Sequence, residues 1–273
     1  MVGAGEKPLR LARRLAGHRR LLPLTALLLR GRTVRPTPAF VARALLRRRG
    51  TFAYTLRENG LKVAIRHGTG DVVTLGEVFH ERDYEPPQEL REQLAGVRRI
   101  VDLGGNVGLF GAFAAARWPH AEIVAFEPDP DNADVHEQTI ALNELRARWR
   151  LVRAAAGPRS GRARFVAGAA ALSRLADAND DASIEVAVED VVPRLARADL
   201  VKIDIEGAEW PILADPRFRE GPPGALVLEY HPRFCPTDDP RAAAESALTA
   251  AGLRVRNIWE RADGHGMLWA WRS

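Results

Sequence analysis

Residues 101–108, Val101-Asp102-Leu103-Gly104-Gly105-Asn106-Val107-Gly108, pass from apolar to acidic to glycine-rich within eight positions. With Ile100 ahead of them they read as a buried strand that runs into a tight glycine turn and then a helix over residues 109–117. Working outward, the same alternation continues. Apolar runs at 123–126, 151–152, 200–203, 225–228, 253–259 and 267–271 are interleaved with helical patterns at 132–143 and 241–251. This predicts an α/β fold with a Rossmann-like, mostly parallel sheet covered on both faces. The last strand follows the turn-rich residues 263–266 and is expected to run antiparallel.

Upstream, residues 51–56 and 61–65 alternate around Glu58-Asn59-Gly60, a β-hairpin signal. Val72-Val73-Thr74-Leu75 reads as a further short strand. Thr37-Pro38 reads as a helix start, and Arg47-Arg48-Arg49-Gly50 as its end. The expected organisation is therefore a basic helical extension (1–50), a hairpin cap or linker (51–88) and a main domain (89–273). Residues 157–183, rich in Ala, Gly, Asp and Ser, are expected to leave the main sheet.

The net charge of +5 is unevenly placed. Residues 1–50 carry thirteen basic residues against Glu6 alone, so the rest of the chain is acidic. The high pI is thus no nucleic-acid footprint for the whole protein. The extension reads first as solvated arginines, and second as a contact for an acidic partner or an anionic membrane surface. The longest apolar stretch, residues 21–29, contains Pro23 and falls short of the about 20 residues a span needs. Arg30, Arg32 and Arg35 occupy the place of a signal cleavage site. A single cysteine, Cys235, excludes an internal disulfide and reads as a free, buried thiol. A cytoplasmic location is expected.

In open α/β sheets ligands bind beyond the carboxyl ends of the strands, and three such ends carry suitable polar residues. The first is the turn with Asp102, Gly104, Gly105, Asn106 and Gly108. At the second, Glu127 lies nineteen residues after Gly108, where an acidic side chain can accept both hydroxyls of a ribose. The third is Lys202-Ile203-Asp204-Ile205-Glu206-Gly207-Ala208-Glu209. A dinucleotide fingerprint starting at Gly104 would need glycine at 106 and 109, where this chain has Asn106 and Leu109. A nicotinamide cofactor is thereby disfavoured. S-adenosylmethionine fits instead: it has no pyrophosphate, and its sulfonium and ammonium offset clustered carboxylates. Asp102 can accept from that ammonium or fix the loop, and Tyr84 can cover the cofactor.

Together these residues resemble the FkbM family of class I S-adenosylmethionine-dependent methyltransferases. Residues 101–110, 125–130 and 202–209 match its three most recognisable segments, and Phe79-His80-Glu81-Arg82-Asp83-Tyr84-Glu85 resembles its stretch ahead of the glycine turn. The resemblance covers roughly residues 65–232 and leaves residues 1–50 outside. It implies a seven-stranded methyltransferase sheet and methylation of a hydroxyl on a sugar or natural product.

A hydroxyl acceptor must lose its proton as the new bond forms. His231 or Glu206 is the expected base, with Glu229 orienting it or the acceptor. The same oxygen-rich set would suit Mg²⁺, but carboxylates beside a cationic cofactor need no metal and none is invoked. His67, His80 and His265 lack ligand spacing and read as surface residues. Trp259, Trp269 and Trp271 read as core. Two other functions remain open: methylation of RNA or another macromolecule, which the acidity around Asp204 opposes, and a non-catalytic S-adenosylmethionine-binding protein.

Overall fold

The computed structural model describes residues 22–167, 174–175 and 183–272. The first 21 residues of the basic extension, and parts of the segment 157–183, lie outside the described residues.

Seven strands form the central sheet: β1 (Arg99–Leu103), β2 (Glu122–Phe126), β3 (Trp149–Val152), β4 (Leu200–Ile203), β5 (Ala225–Tyr230), β6 (Arg254–Glu260) and β7 (Gly266–Trp271). Their order is β6-β7-β5-β4-β1-β2-β3. β1 to β5 pair in parallel with their neighbours, and β7 is antiparallel to both β5 and β6. The predicted alternation and its antiparallel last strand are both present. The inner strands are buried along their length because helices cover both faces, which is why they read as continuous apolar runs rather than alternating ones. Two clusters fill the two sides. One includes Ile100, Phe113, Trp149 and Trp269, and the other Leu103, Phe126, Phe218 and Leu248.

Strand order places the site. The chain leaves β1 toward β2 on one side and later enters β4 on the other, so the carboxyl ends of β1 and β4 face each other across a switch point. Ile203 is in register with Leu103 and with Leu228. The residues just past each strand therefore meet on one rim.

The hairpin is present as strands Gly50–Leu56 and Lys62–His67, with Val34–Arg35 added at its edge. It is fastened to the helix Pro130–Leu142 and to Asn143 just past its end: the backbone N–H of Ala64 donates to Thr139 Oγ1, and that of Lys62 to Asn143 Oδ1. Helix Thr37–Leu45 ends before Arg47, and Gly50 belongs to the hairpin rather than to a helix cap. Residues 72–75, expected as a strand, lie in the helix Asp71–Gly76, which continues into a π-helical turn, Glu77–Glu81. Leu75, Val78 and Phe79 are its large buried apolar residues, at helical spacing. A four-residue window was too short to show that period.

The segment after β3 leaves the main sheet as expected. It builds a second, four-stranded sheet from Ala155–Gly157, Gly161–Val166, Arg174–Leu175 and Ile184–Asp190. Among the described residues no helix is long and apolar enough to cross a membrane.

Candidate active site

Two cavities meet at the carboxyl edge of the sheet and share Gly104, Asn106, Asp204 and Glu206 as a wall. The first is lined by Phe126, Glu127, Ala155, Ala156, Phe165 and Ile205. The second, of about 390 Å³, is lined by Glu77, Tyr84, Lys202, Glu229, His231 and Arg261 among others.

The glycine turn is dictated by what stands behind it. Gly104 has φ +79°, and a Cβ there would fall 1.8 Å from the backbone oxygen of Asp204. Only glycine lets β1 and β4 approach so closely. Gly105 and Gly108 back onto the fully buried His136, whose Nδ1 donates to the carbonyl of Asn106 at 3.1 Å. Burial holds the His136 pKa down at about 4, so the ring is a neutral plug. Gly108 opens the helix Leu109–Arg117 and lines neither cavity.

Glu127, 4% exposed, staples the turn to β2. Its Oε2 accepts from the Asn106 N–H at 2.7 Å and its Oε1 from the Asp129 N–H at 2.9 Å. Burial lifts its pKa to about 7 against the pull of those two amides. Hydroxyl donors arriving from the cavity would favour its charged form.

Asp102 is fully buried at the end of β1 and lines neither cavity. Its carboxylate lies 3.5 Å from Lys202 Nζ, which is also 3.3 Å from Asp204. Lys202 donates further to the carbonyls of Leu103 and Gly104, at 3.3 and 2.5 Å. Asp102 thus reaches the glycine turn through Lys202. Burial opposes the charge on Lys202, but Asp204 and Asp102 outweigh it and raise its pKa. Tyr84 stands in the second cavity, its hydroxyl donating to Asp204 Oδ2 at 3.4 Å and its ring edge-on to Phe110.

The expected catalytic residues converge. His231 is 3% exposed; its Nε2 lies 3.9 Å from Asp204 Oδ1 and 3.7 Å from Glu206 Oε2. One polar atom from each of Asp204, Glu206 and His231 falls within 4.8 Å of the others. Glu206 has φ +54°, a conformation a non-glycine residue holds only when its surroundings impose it. Glu229, one residue past Leu228 on β5 and so level with Asp204, lines the same cavity.

Sequence reasoning missed the residue that orients this corner. Glu209 is fully buried. Its Oε2 accepts from the Gly207 N–H at 2.9 Å, and its Oε1 from the His231 N–H at 2.8 Å, with His231 Nδ1 at 3.2 Å. One carboxylate thus fixes both the loop and the ring, leaving Nε2 aimed at Glu206 and Asp204. Burial works against the charge on His231, yet Glu209, then Asp204 and Glu206, lift its pKa to about 9. Lys202 was missed too, although a lysine inside an apolar strand was itself a signal. His265, expected on the surface, packs edge-on against His231 at 5.1 Å and lines the cavity. His67 is buried and shares a hydrogen bond of 2.7 Å with the Tyr54 hydroxyl. Cys235 is free but only half-buried.

These residues fit S-adenosylmethionine. The first cavity offers apolar walls for a purine and Glu127 for ribose hydroxyls. At the shared wall Asn106 Oδ1 is buried without a hydrogen bond from the described residues, and two carboxylates face a position suited to positive charge.

Comparison with known proteins points the same way. The family model for the FkbM methyltransferase domain matches residues 102–244. Methyltransferase sdnD of Sordaria araneosa is 47% identical over 45 residues, which span 16% of this chain and 17% of that protein. Methyltransferase 1 of Beauveria bassiana is 24% identical over 182 residues, 57% of this chain and 72% of that one. The chain therefore covers under a fifth of the first relative's length. Among solved structures, precorrin-6y C5,15-methyltransferase from Geobacter metallireducens aligns at 17% identity and TM-score 0.41, over 69% of this chain and 90% of that one. The O-methyltransferase from Bacillus cereus in complex with SAH aligns at 14% and 0.40, over 68% and 80%.

Proposed function

The chain belongs to the FkbM methyltransferase family, and on that premise we propose that it transfers a methyl group from S-adenosylmethionine to a hydroxyl oxygen of a small, polyhydroxylated acceptor such as a glycoside or polyketide. The observation that carries this reading is the shared wall: the nucleoside-shaped cavity and the His231 corner are separated only by Gly104, Asn106, Asp204 and Glu206.

When bound, S-adenosylmethionine supplies a methyl on a positively charged sulfur, and in an in-line displacement the C–S bond breaks, its electron pair staying on sulfur, as the O–C bond forms. The chain's part is to hold and deprotonate. Glu127 and the apolar walls hold the nucleoside, while Asp204 and Asn106 face the amino-acid end. Positioning of this kind can account for several powers of ten in rate. The hydroxyl proton passes to Glu206 Oε2. His231, with a pKa of about 9, already carries its proton at neutral pH and serves as a hydrogen-bond donor that aligns the corner. Of the two expected bases, Glu206 is therefore preferred. The support is electrostatic: the three carboxylates around His231 keep it charged.

The test is a single-turnover assay with labelled S-adenosylmethionine against hydroxylated glycosides and polyketides. Wild type is expected to place the label on oxygen, and Glu206→Gln to slow that step at least about 100-fold while still binding S-adenosylhomocysteine. Wild-type rates in both Glu206→Gln and His231→Ala would remove the corner from the mechanism. Label appearing in RNA, with steep salt dependence, would replace the acceptor class.

A further inference from the structure

The second cavity is short of positive charge. Among the described residues five carboxylates (Glu77, Asp204, Glu206, Glu229 and Asp263) line it against three cations, Lys202, Arg261 and the protonated His231, which Glu209 already holds. Lys202 is engaged by Asp102 and Asp204, and Asp263 contacts His265 at 3.0 Å. Arg261 reaches Glu77 only at 3.9 Å. Glu229 has no hydrogen-bond or ion-pair partner among the described residues. Such a carboxylate, turned into a recess among others of its sign, is costly to leave charged without a cation nearby. Burial, followed by Asp204, pushes the Glu229 pKa well above the ordinary carboxylate range, and the same two causes raise Glu77 to about 7.

S-adenosylmethionine relieves only part of this. It brings two positive charges and one negative, and its cationic groups belong at the shared wall with Asp204 and Glu206. Glu229 and Glu77 line only the second cavity and are absent from the first. His231, 3% exposed, lines that cavity with its Nε2 3.7 Å from Glu206 Oε2, so the acceptor's hydroxyl end belongs in its corner and its other end beside Glu229 and Glu77.

We propose that the acceptor carries an ammonium group, which seats against Glu229 and Glu77 while a hydroxyl of the same molecule reaches the Asp204–Glu206–His231 corner. The acceptor class is thus an amino-substituted polyol, such as an amino sugar or aminocyclitol, methylated on oxygen. A nitrogen held protonated by two carboxylates has no lone pair to receive a methyl. This inference rests on the methyltransferase reading above.

The experiment is a calorimetric titration of the full chain, saturated with S-adenosylhomocysteine, using methyl glucosaminide and kanamycin, each beside its N-acetylated form. The free amines are expected to bind at least about 10-fold more tightly than their acetylated forms, a difference of about 1.4 kcal/mol. Glu229→Gln is expected to erase that preference. Should this variant fail to fold, the paired titrations on wild type decide alone. Equal binding of both forms overturns the proposal, as does a preference that survives in a double Glu229→Gln, Glu77→Gln variant. Binding of the acetylated forms that strengthens only with Mg²⁺ overturns it in favour of a divalent ion on these carboxylates. Methyl label recovered on nitrogen overturns it as well. Failure of wild type to bind S-adenosylhomocysteine would instead count against the methyltransferase reading.

Discussion

The two cavities share a wall and are built on opposite principles. On the cofactor side, close packing is the rule: Gly104 against the Asp204 carbonyl, Gly105 and Gly108 against His136, and Glu127 held in place by two backbone amides. On the acceptor side charge is the rule, with a protonated histidine among carboxylates and Glu229 without a hydrogen-bond or ion-pair partner among the described residues. Steric construction tolerates almost no substitution. Electrostatic construction tolerates change of shape and depends on who carries which proton.

The largest effect that would break this contrast is on the steric side. Gly104→Ala puts a methyl 1.8 Å from a backbone oxygen at a positive φ. Affinity for S-adenosylhomocysteine should fall at least about 100-fold, near 2.7 kcal/mol. Gly96→Ala, with nothing within 4 Å of its Cβ, should leave calorimetric affinity unchanged. Normal binding by the Gly104 variant would mean the wall is not sterically fixed.

A smaller effect belongs to the electrostatic side. Glu209→Gln keeps volume but replaces one accepting oxygen with a donor, so it cannot receive from both Gly207 and His231. Turnover should fall about 10- to 100-fold, with S-adenosylhomocysteine affinity within about 3-fold. Parallel loss of both would show that Glu209 supports the whole rim rather than His231.

The smallest effect is on stability. The His231 pKa is raised from 6.5 to about 9 on folding, so its contribution is complete below about pH 6.5 and is lost as pH climbs through 9. Wild-type Tm should decline by several degrees between pH 7 and 9.5, and the decline should flatten in His231→Gln. An unchanged slope in the variant would assign the pH response to other groups.

The contrast also explains what was legible in the sequence. Asp102, Gly104, Glu127 and Asp204 sit at strand ends, and the alternation of apolar strands with helices is enough to place strand ends on one rim. Local pattern carries that information. Residues 72–75 were misread because the period of their helix extends to Phe79. Lys202 was signalled by its place inside an apolar strand, whereas Glu209 was silent. The role of Glu209 depends on which side chains face inward after β4 is in register with β1 and β5, and no spacing within one segment encodes it. Asp204, Glu206 and His231, brought from two strand ends, lie close enough together to surround an acceptor hydroxyl.

Asp204 has two faces, and the pair has a thermodynamic consequence. Its carbonyl abuts Gly104 while its carboxylate contacts Lys202, Tyr84 and His231. Any displacement of this residue by one ligand is felt by the other. By linkage the influence must be mutual: whatever factor an acceptor adds to cofactor affinity, the cofactor adds to acceptor affinity. A residue serving as the wall of both chambers makes the two occupancies one cooperative event.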